Sequence, residues 1–290
     1  METFVQQILA GLATGSVFAC VALALVVIYQ ATHHVNFAQG EMAMFSTFLA
    51  WALIQAGLGY WAAFLVTVAV SFVIGCAIEY VVIRPLQQSS VLSVVVVFIG
   101  LMVIFHSLAG WLFGHMTKPF PSPFAEDAWF STSLMSAHEV GTIVAALLVV
   151  ALLFWFLRMT PLGLSMRAAA QNPGSARLLG IHVGKMLMLG WGLAAAIGAV
   201  AGMLVAPKLF LSPDMMTGVL MYAFAAALLG GIDNPLGAVV GGFLVGVFEN
   251  LMGAYVVGTE LKFLAALLLI IGVLIFRPAG LFGRVIATRV

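Results

Sequence analysis

The sequence predicts an all-α integral membrane protein: a polytopic bundle of about eight to ten transmembrane helices, with broken or re-entrant segments and a short cytoplasmic helix. Hydrophobic residues make up 64% of the 290-residue chain and charged residues only 7%, whereas soluble domains average roughly 25% charged residues. Apolar runs of about 20 residues, long enough to cross a bilayer core, follow one another with little sequence between them. A single transmembrane domain, residues 1–290, is therefore expected.

Nine apolar segments are predicted in chain order. They cover residues 4–29, 41–57, 61–83, 91–113, 138–157, 186–206, 217–230, 236–257 and 261–276. The segments at 41–57 and 217–230 are short for a full crossing, so they are candidates for broken or re-entrant pieces. The first segment follows Glu2 instead of a basic region and is too long for a signal-peptide core, so we expect an uncleaved span.

The positive charges predict the orientation of these segments, because cytoplasmic loops carry an excess of Lys and Arg. The richer side has Arg84, Arg158, Arg167, Arg177, Lys185, Arg277, Arg284 and Arg289, and the poorer side has Lys118, Lys208 and Lys262. We therefore expect a cytoplasmic C-terminus, a cytoplasmic loop at about 158–185 and an ordered external loop at about 114–137. The external loop contains Glu126, Asp127 and Trp129. The net charge of +1 without a basic patch gives no reason to expect a nucleic-acid partner.

Glycines recur four residues apart within the apolar segments. The pairs are Gly11 and Gly15, Gly198 and Gly202, Gly237 and Gly241, and Gly242 and Gly246. This spacing clears one face of a helix for close approach of a neighbour. We interpret the pairs as close packing inside the bundle and not as a specific dimerisation motif.

The first polar interruption runs from His33 to Glu41, between the first two segments. Helices break at membrane depth only where the backbone is buried in protein or lines a wet cavity, so a substrate-pathway element is one interpretation. The other is a cytoplasmic turn in which Asn36 caps the next helix. Adjacent His33 and His34 do not share a helix face and no ligand cluster completes them, so no metal site is expected. The pathway candidates here are Asn36, Phe37, Gln39 and Glu41.

A second interruption lies between residues 230 and 237, in the other half of the chain. Interrupted segments in both halves point to a central transport site. Glu249 follows within the next segment, where an unpaired carboxylate costs roughly 2.5–3.5 kcal/mol, so it is expected to face the interior as a functional or network-forming residue. The further pathway candidates are Asp233, Asn234 and Glu249. Glu79, which is expected near the membrane interface beside Arg84, and His106 are weaker candidates.

The polar loop at about 158–185 carries the signals of a short helix. Asn172 is typical of an N-cap, Pro173 of the first helical position and Gly180 of the position just past the end. A two-turn helix at about 173–179 is therefore predicted. So short a helix is unstable alone, and we expect its apolar residues to dock against a cytoplasmic partner. Those residues are Ala176, Leu178 and Leu179.

Four stretches together resemble the permease subunits of the high-affinity branched-chain amino acid family of ABC importers, the LivH type. They are NFAQGE at 36–41, RAAAQ at 167–171 with ARLLGI at 176–181, AFAAALLGG at 223–231 and RPAGLFG at 277–283. The similarity covers essentially the whole chain. The sequence departs from the family's usual pattern at Gln39, where His is common, and at Asp233-Asn234, where small residues are common.

The resemblance implies a transport subunit, not an enzyme, that supplies half of a pathway for ATP-driven import by alternating access. It implies that the short helix is the coupling helix, which transmits closure of an ATPase dimer to the spans. The implied coupling residues are Asn172, Pro173, Ala176, Arg177, Leu178, Leu179 and Gly180. The implied partners, in a bacterial inner membrane, are two ATPase subunits carrying ATP and Mg, a second related permease and an external solute-binding protein. The implied cargo is branched-chain amino acids or related small solutes.

The chain itself has no G-x-x-x-x-G-K-[ST] motif, so we expect it to bind no nucleotide or other cofactor. The alternative function is an ion-coupled secondary transporter of a small polar solute. Such a protein would also use Glu249, Asp233 and broken helices, but it would work without an ATPase. An intramembrane enzyme is a weaker alternative, since the sequence has neither H-E-x-x-H nor a Ser/His motif.

Overall fold

The computed structural model describes residues 2–86, 89–124, 134–258, 261–277 and 279–283. Within these ranges all regular secondary structure is helical, apart from one isolated bridge between Lys118 and Leu211. Several residues that entered the sequence predictions lie outside the described ranges. They are Glu126, Asp127, Trp129, Pro278, Arg284 and Arg289.

The helices follow the predicted apolar segments closely. They are α1 (Glu2–Thr32), α2 (Gln39–Gln55), α3 (Tyr60–Ile78), α4 (Val91–Phe113), α5 (Ala137–Met159), α6 (Pro161–Gln171), α7 (Pro173–Leu178), α8 (Val183–Leu209), α9 (Met215–Gly230), α10 (Pro235–Tyr255) and α11 (Lys262–Phe276). Among the described residues, six helices are long and apolar enough to cross a membrane, namely α1, α3 with its continuation to Leu86, α4, α5, α8 and α10. α9 and α11 are shorter apolar helices. The all-α polytopic fold class is confirmed.

The sequence prediction missed α6, which it treated as part of a loop. The helix begins as α7 does, with a capping residue followed by proline. The Thr160 hydroxyl accepts a hydrogen bond from the Gly163 amide at 3.0 Å, and Pro161 occupies the first turn. The capping signal is present in the sequence, but the stretch is too polar to be recognised as a helix by hydropathy.

The chain divides into two compact units. The first comprises Met1–Val26, Phe124–Ala146 and Gly218–Val290, and the second comprises Val27–Pro123 and Leu147–Thr217. Helices α1, α5 and α9 contribute residues to both.

In the second unit, α8 is the central helix and packs against α2 and α3. A Cβ added at Gly198 would lie 2.6 Å from the Gln39 side-chain nitrogen, and one at Gly202 would lie 2.8 Å from the Ala43 carbonyl oxygen. Gly75 of α3 approaches α8 in the same way. The absence of side chains at these points lets the helices come into backbone contact.

The second unit has two ends, marked by opposite ends of α8. At the α7 end, Thr32, Leu86, Arg177 and Val183 line one cavity. At the Lys118 end, Lys118 and Leu211 exchange two backbone hydrogen bonds of 2.9 Å, and the Lys118 ammonium lies 4.5 Å from the centre of the Trp51 ring. The bridge fixes the loop after α4 to the loop after α8, and the cation–π contact fixes the loop after α4 to α2.

In the first unit, glycines join α1 to α10 and α9 to α10. Gly11 and Gly15 of α1 face the backbone of α10 around Gly242 and Gly246, while Gly241 faces the Ala226 carbonyl of α9. The predicted packing role of the four glycine pairs is confirmed, because each member meets a neighbouring helix.

Replacing Gly15 with Ala is expected to lower the free energy of unfolding by about 1–3 kcal/mol, the usual cost of overpacking. The new Cβ would lie 2.8 Å from the Gly242 carbonyl oxygen and 2.9 Å from the Phe243 Cα. Thermal unfolding of the purified protein in detergent, followed by circular dichroism, measures the change.

The matched control is Gly100→Ala in α4, where nothing lies within 4 Å of the new Cβ. Because Ala favours a helix by up to about 1 kcal/mol over Gly, this variant should be neutral or stabilising. Equal melting temperatures for the two variants would contradict the packing role of Gly15.

Candidate functional site

The first polar interruption is a turn between α1 and α2. His33, just past the end of α1, has a left-handed backbone with φ of 56°, and the Asn36 side-chain oxygen accepts a hydrogen bond from the Ala38 amide at 3.0 Å. Ala38 is the N-cap of α2 and makes no side-chain capping bond. Of the two interpretations of this stretch, the one in which Asn36 caps α2 is therefore wrong, and Asn36 instead shapes the turn before the helix.

This turn lies beside the middle of α8. The side-chain nitrogen of Gln39 donates to the Ala194 carbonyl at 3.0 Å. The side-chain nitrogen of Asn36 lies 3.4 Å from the side-chain oxygen of Gln39. Both side chains are fully buried. Since α8 has the length of a membrane span, the position of Gln39 beside its midpoint favours a break at membrane depth over a surface turn.

Glu41 lies in the first turn of α2, close to these two amides in sequence. Its side chain is buried, and its Oε2 atom is 3.4 Å from Nδ1 of His106 on α4. The pair is not aligned as a hydrogen bond, and Oε2 has no hydrogen-bond partner among the described residues. Phe37 is half-buried in the same turn. The second unit thus gathers the four predicted pathway candidates of the first interruption.

The second interruption is a tight turn between two antiparallel helices, not a break within a span. Asn234 caps α10, since its side-chain oxygen accepts from the amides of Leu236 at 3.1 Å and Gly237 at 3.3 Å. Its side-chain nitrogen donates to the Phe282 carbonyl at 3.2 Å. Asp233 is exposed on the turn. Both polar atoms of the Asn234 side chain are therefore engaged in hydrogen bonds that stabilise the turn.

The segment after α11 closes this turn. The Leu281 amide donates to the Leu229 carbonyl at 2.7 Å, and the Phe282 amide donates to the Gly230 carbonyl at 3.1 Å. These bonds satisfy carbonyls at the C-terminal end of α9, which have no partner within the helix. Two stretches of the family resemblance, 223–231 and 277–283, therefore meet in space.

Glu249 is paired within the first unit. Its carboxylate lies 3.0 Å from the Lys262 ammonium at the start of α11. The next residue, Asn250, donates to the backbone and side-chain oxygens of Gln7 at 2.8 and 3.0 Å. These contacts support the predicted network-forming role of Glu249. Asn234 and Glu249 lie roughly 20 Å apart along α10, so they do not form one site.

Helix α7 forms where it was predicted, with the predicted signals. The Asn172 side chain accepts from the Ser175 amide at 3.0 Å, and Pro173 is in the first turn. At the other end Gly180 has φ of +80°, the Ile181 amide bonds the Ala176 carbonyl, and the Gly180 amide bonds the Arg177 carbonyl. This is the Schellman arrangement, which fixes the direction in which the chain leaves the helix.

The apolar residues of α7 face in two directions. Leu178 and Leu179 are 90% and 79% exposed, as a docking surface requires, whereas Ala176 is only 2% exposed. The expectation that Ala176 docks against a partner is wrong, because its methyl group is already covered by this chain. Arg177 is exposed at the edge of α7.

A cavity of about 200 Å³ separates α7 from the helix ends beneath it. Its polar lining comes from Thr32, His34, Glu79 and Arg177, and the remaining walls are apolar side chains of α1, α4, α7, α8 and the continuation of α3. The space lies wholly within the second unit.

The sequence context of Glu79 made it only a weaker candidate, expected near the membrane interface. The side chain is fully buried, and Arg84 binds it with a contact of 2.7 Å. Residues five apart do not share an α-helical face, so the spacing gave no signal. The pair forms because Glu79–Ile83 is a π-helical turn, in which residues five apart become neighbours.

Comparisons with known proteins agree with this architecture. Residues 7–274 match the family model described as branched-chain amino acid transport system / permease component. The chain is 32% identical to the high-affinity branched-chain amino acid transport system permease protein LivH of Salmonella typhimurium, over 97% of this chain and 96% of that protein. It is 31% identical to BraD of Pseudomonas aeruginosa, with the same coverage.

One solved structure shares the fold. It is PsaBC from Streptococcus pneumoniae in complex with Fab, with a TM-score of 0.51 and 13% sequence identity, over 93% of this chain and 91% of that chain. At this identity the likeness concerns the fold alone.

Replacing Gln39 with Leu is expected to lower the free energy of unfolding by about 1–3 kcal/mol. The substitution keeps the approximate volume but removes the donor to the Ala194 carbonyl and the acceptor that faces Asn36. The melting temperature of the purified protein in detergent should fall accordingly. Gln55→Leu, at the exposed end of the same helix, is the matched control and should change little; equal effects of both would argue against a bridging role for Gln39.

Proposed function

Because the chain belongs to the branched-chain amino acid permease family of ABC importers, we propose that it carries branched-chain amino acids or related small solutes across the bacterial inner membrane. The chain is a transport subunit and not an enzyme. The observation that carries the proposal is the match over 97% of the chain to a permease named for this transport. The alternative from the sequence, an ion-coupled secondary transporter, has no support in these matches.

The proposed complex contains this chain, a second related permease, two ATPase subunits that bind ATP and Mg, and an external solute-binding protein. The ATPase partners are supported by Leu178, at the end of α7, and by Leu179, which follows it, because these apolar side chains are exposed and available to a docking partner. The sequence lacks a nucleotide-binding loop, which is consistent with hydrolysis on other chains.

The α7 end of the second unit is proposed to face the cytoplasm, as is the C-terminus. Support comes from charge, because cytoplasmic segments carry the excess of Lys and Arg. Arg84, Arg177 and Lys185 lie at the α7 end, and Arg158 and Arg167 lie on the neighbouring α5 and α6. The Lys118 end has only Lys118 and Lys208 among the described residues of this unit.

The turn around Asn36, Phe37, Gln39 and Glu41 is the proposed element of the translocation pathway. Its location beside the middle of α8 supports this role, because irregular backbone at membrane depth is found where a cavity or protein surrounds it. The buried carboxylate of Glu41, whose Oε2 atom makes no aligned hydrogen bond and contacts His106 at 3.4 Å, is suited to the ammonium group of an amino acid. Asn234 and Glu249 already make contacts within the first unit, so the proposed pathway element is the first interruption and not the second.

The proposed mechanism is alternating access driven by the partner ATPases. ATP can shift the permease between its outward and inward states only if the ATPase dimer binds the two states with different affinity. Helix α7 would provide that difference, because it is the exposed element next to a cavity.

Purification of the chain in a gentle detergent from its native membrane, with mass spectrometry of the bound proteins, tests the proposal. Recovery of an ATPase and a second permease, with ATP-dependent L-leucine uptake by the reconstituted complex and its binding protein, is the expected result. Recovery of this chain alone, with uptake that depends on an ion gradient, would favour the secondary transporter.

Replacing Leu178 with Asp is expected to reduce L-leucine uptake at least about tenfold, equivalent to about 1.4 kcal/mol of lost docking energy. The amount of protein in the membrane should not change, because Leu178 is 90% exposed and contributes little to the fold. Uptake and ATP hydrolysis are measured on the same vesicles. Leu178→Met keeps an apolar side chain and should retain uptake; full uptake in Leu178→Asp would rule out docking at this position.

A further inference from the structure

Helix α3 changes its winding near the α7 end of the second unit. After Ile78 the chain makes the π-helical turn Glu79–Ile83 and then the 3₁₀ turn Arg84–Leu86. π turns of this kind inside longer helices occur frequently at functional sites. Here the turn places the carboxylate of Glu79 directly against the guanidinium of Arg84.

The guanidinium of Arg84 makes three polar contacts. One nitrogen, Nη2, donates to Oε2 of Glu79 at 2.7 Å and to the Gly184 carbonyl at 3.0 Å, while Nε donates to Oε1 of Glu79 at 3.4 Å. Its carbon lies 4.7 Å from the centre of the Tyr80 ring. A single side chain therefore ties the end of α3 to the first turn of α8.

Gly184 is joined to α7 by a short and well-ordered connection. The Schellman arrangement at Gly180 ends α7, and the His182 carbonyl accepts from the amides of Lys185 and Met186 at the start of α8. The connection at 179–182 is therefore held by backbone hydrogen bonds at both of its ends. A displacement of α7 would act on the start of α8, which Arg84 holds.

Stability alone does not explain this choice of residues. Glu79 is fully buried while the Arg84 side chain is 32% exposed. The buried carboxylate loses hydration energy that its attraction to Arg84 only partly returns, and apolar residues of similar size often serve stability as well or better. The bond to the Gly184 carbonyl adds nothing to the neutralisation of Glu79. What a planar, forked guanidinium provides is a fixed geometry between the end of α3 and the first turn of α8.

We propose that Arg84 is a positioning residue for coupling, which with Glu79 transmits displacement of α7 through the start of α8 to α3. The inference rests on the proposed function, since it concerns how ATP hydrolysis on the partner chains reaches the spans. Glu79 and Arg177 line the same cavity beneath α7, so the link and α7 border one space.

The test uses the complete complex in proteoliposomes, with its binding protein and L-leucine as the probe, and measures leucine transported per ATP hydrolysed. Arg84→Lys keeps the positive charge beside Glu79 but replaces the fork by a single ammonium group. The ratio is expected to fall at least about fivefold, the lower range of coupling between sites, with an unchanged yield of complex. A purely structural role would change the yield and leave the ratio intact.

Arg158→Lys is the matched control, because its guanidinium lies over the ring of Phe154, 5.9 Å from the centre, on α5. This variant should keep the wild-type ratio. The double variant Glu79→Leu with Arg84→Leu replaces the pair by apolar side chains, so it should keep the melting temperature within a few degrees but lose coupling.

A wild-type ratio in Arg84→Lys, or in the double variant, would overturn the inference and leave the proposed function standing. The same conclusion follows if Arg84→Lys assembles poorly but the assembled fraction is fully coupled. If the double variant does not assemble, the ratio in Arg84→Lys decides. A wild-type complex without ATP-dependent uptake would overturn the proposed function and this inference with it.

Discussion

Where Gly202 of α8 faces α2, the two helix backbones come so close that one added methyl group would clash with the Ala43 carbonyl, and at Gly198 it would clash with the Gln39 side chain. In a bilayer, lipid tails are as apolar as leucine, so helices gain little from hiding apolar side chains from lipid, and close packing must hold them together. Glycine makes such packing available because it removes the side chain that would keep the backbones apart. Helix α8 can therefore serve as the core of the second unit, with α2 and α3 placed against it.

The polar turn before α2 depends on this close approach. The Gln39 side chain reaches the Ala194 carbonyl because Gly198, one turn further along α8, leaves space for it. A break in a helix at this depth exposes backbone groups that lipid cannot satisfy. Burial of Asn36 and Gln39 against α8, with the hydrogen bonds they make, removes that cost. The feature that best supports a transport pathway is thus a consequence of how one glycine-rich helix packs.

Hydropathy was sufficient to predict the membrane helices, because each span must satisfy its own backbone and is therefore a long apolar run. Capping chemistry was sufficient for α7, since Asn172, Pro173 and Gly180 act on residues close to them in sequence. The remaining features depend on geometry that sequence spacing does not contain. Glu79 pairs with Arg84 only because the chain makes a π turn between them. The Asn234 side chain binds the carbonyl of Phe282, which lies far along the chain. The burial of Ala176 likewise follows from how α7 lies on its own unit.

The bonds that close the turn between α9 and α10 have a consequence for biosynthesis. The carbonyls of Leu229 and Gly230 are satisfied by Leu281 and Phe282, residues that the ribosome adds only after α10 and α11 have been made. During insertion these carbonyls and the side-chain nitrogen of Asn234 must remain in contact with water or with the insertion machinery. Completion of the first unit is therefore coupled to the order of translation, and a chain interrupted before Leu281 would leave this end of the helical hairpin open.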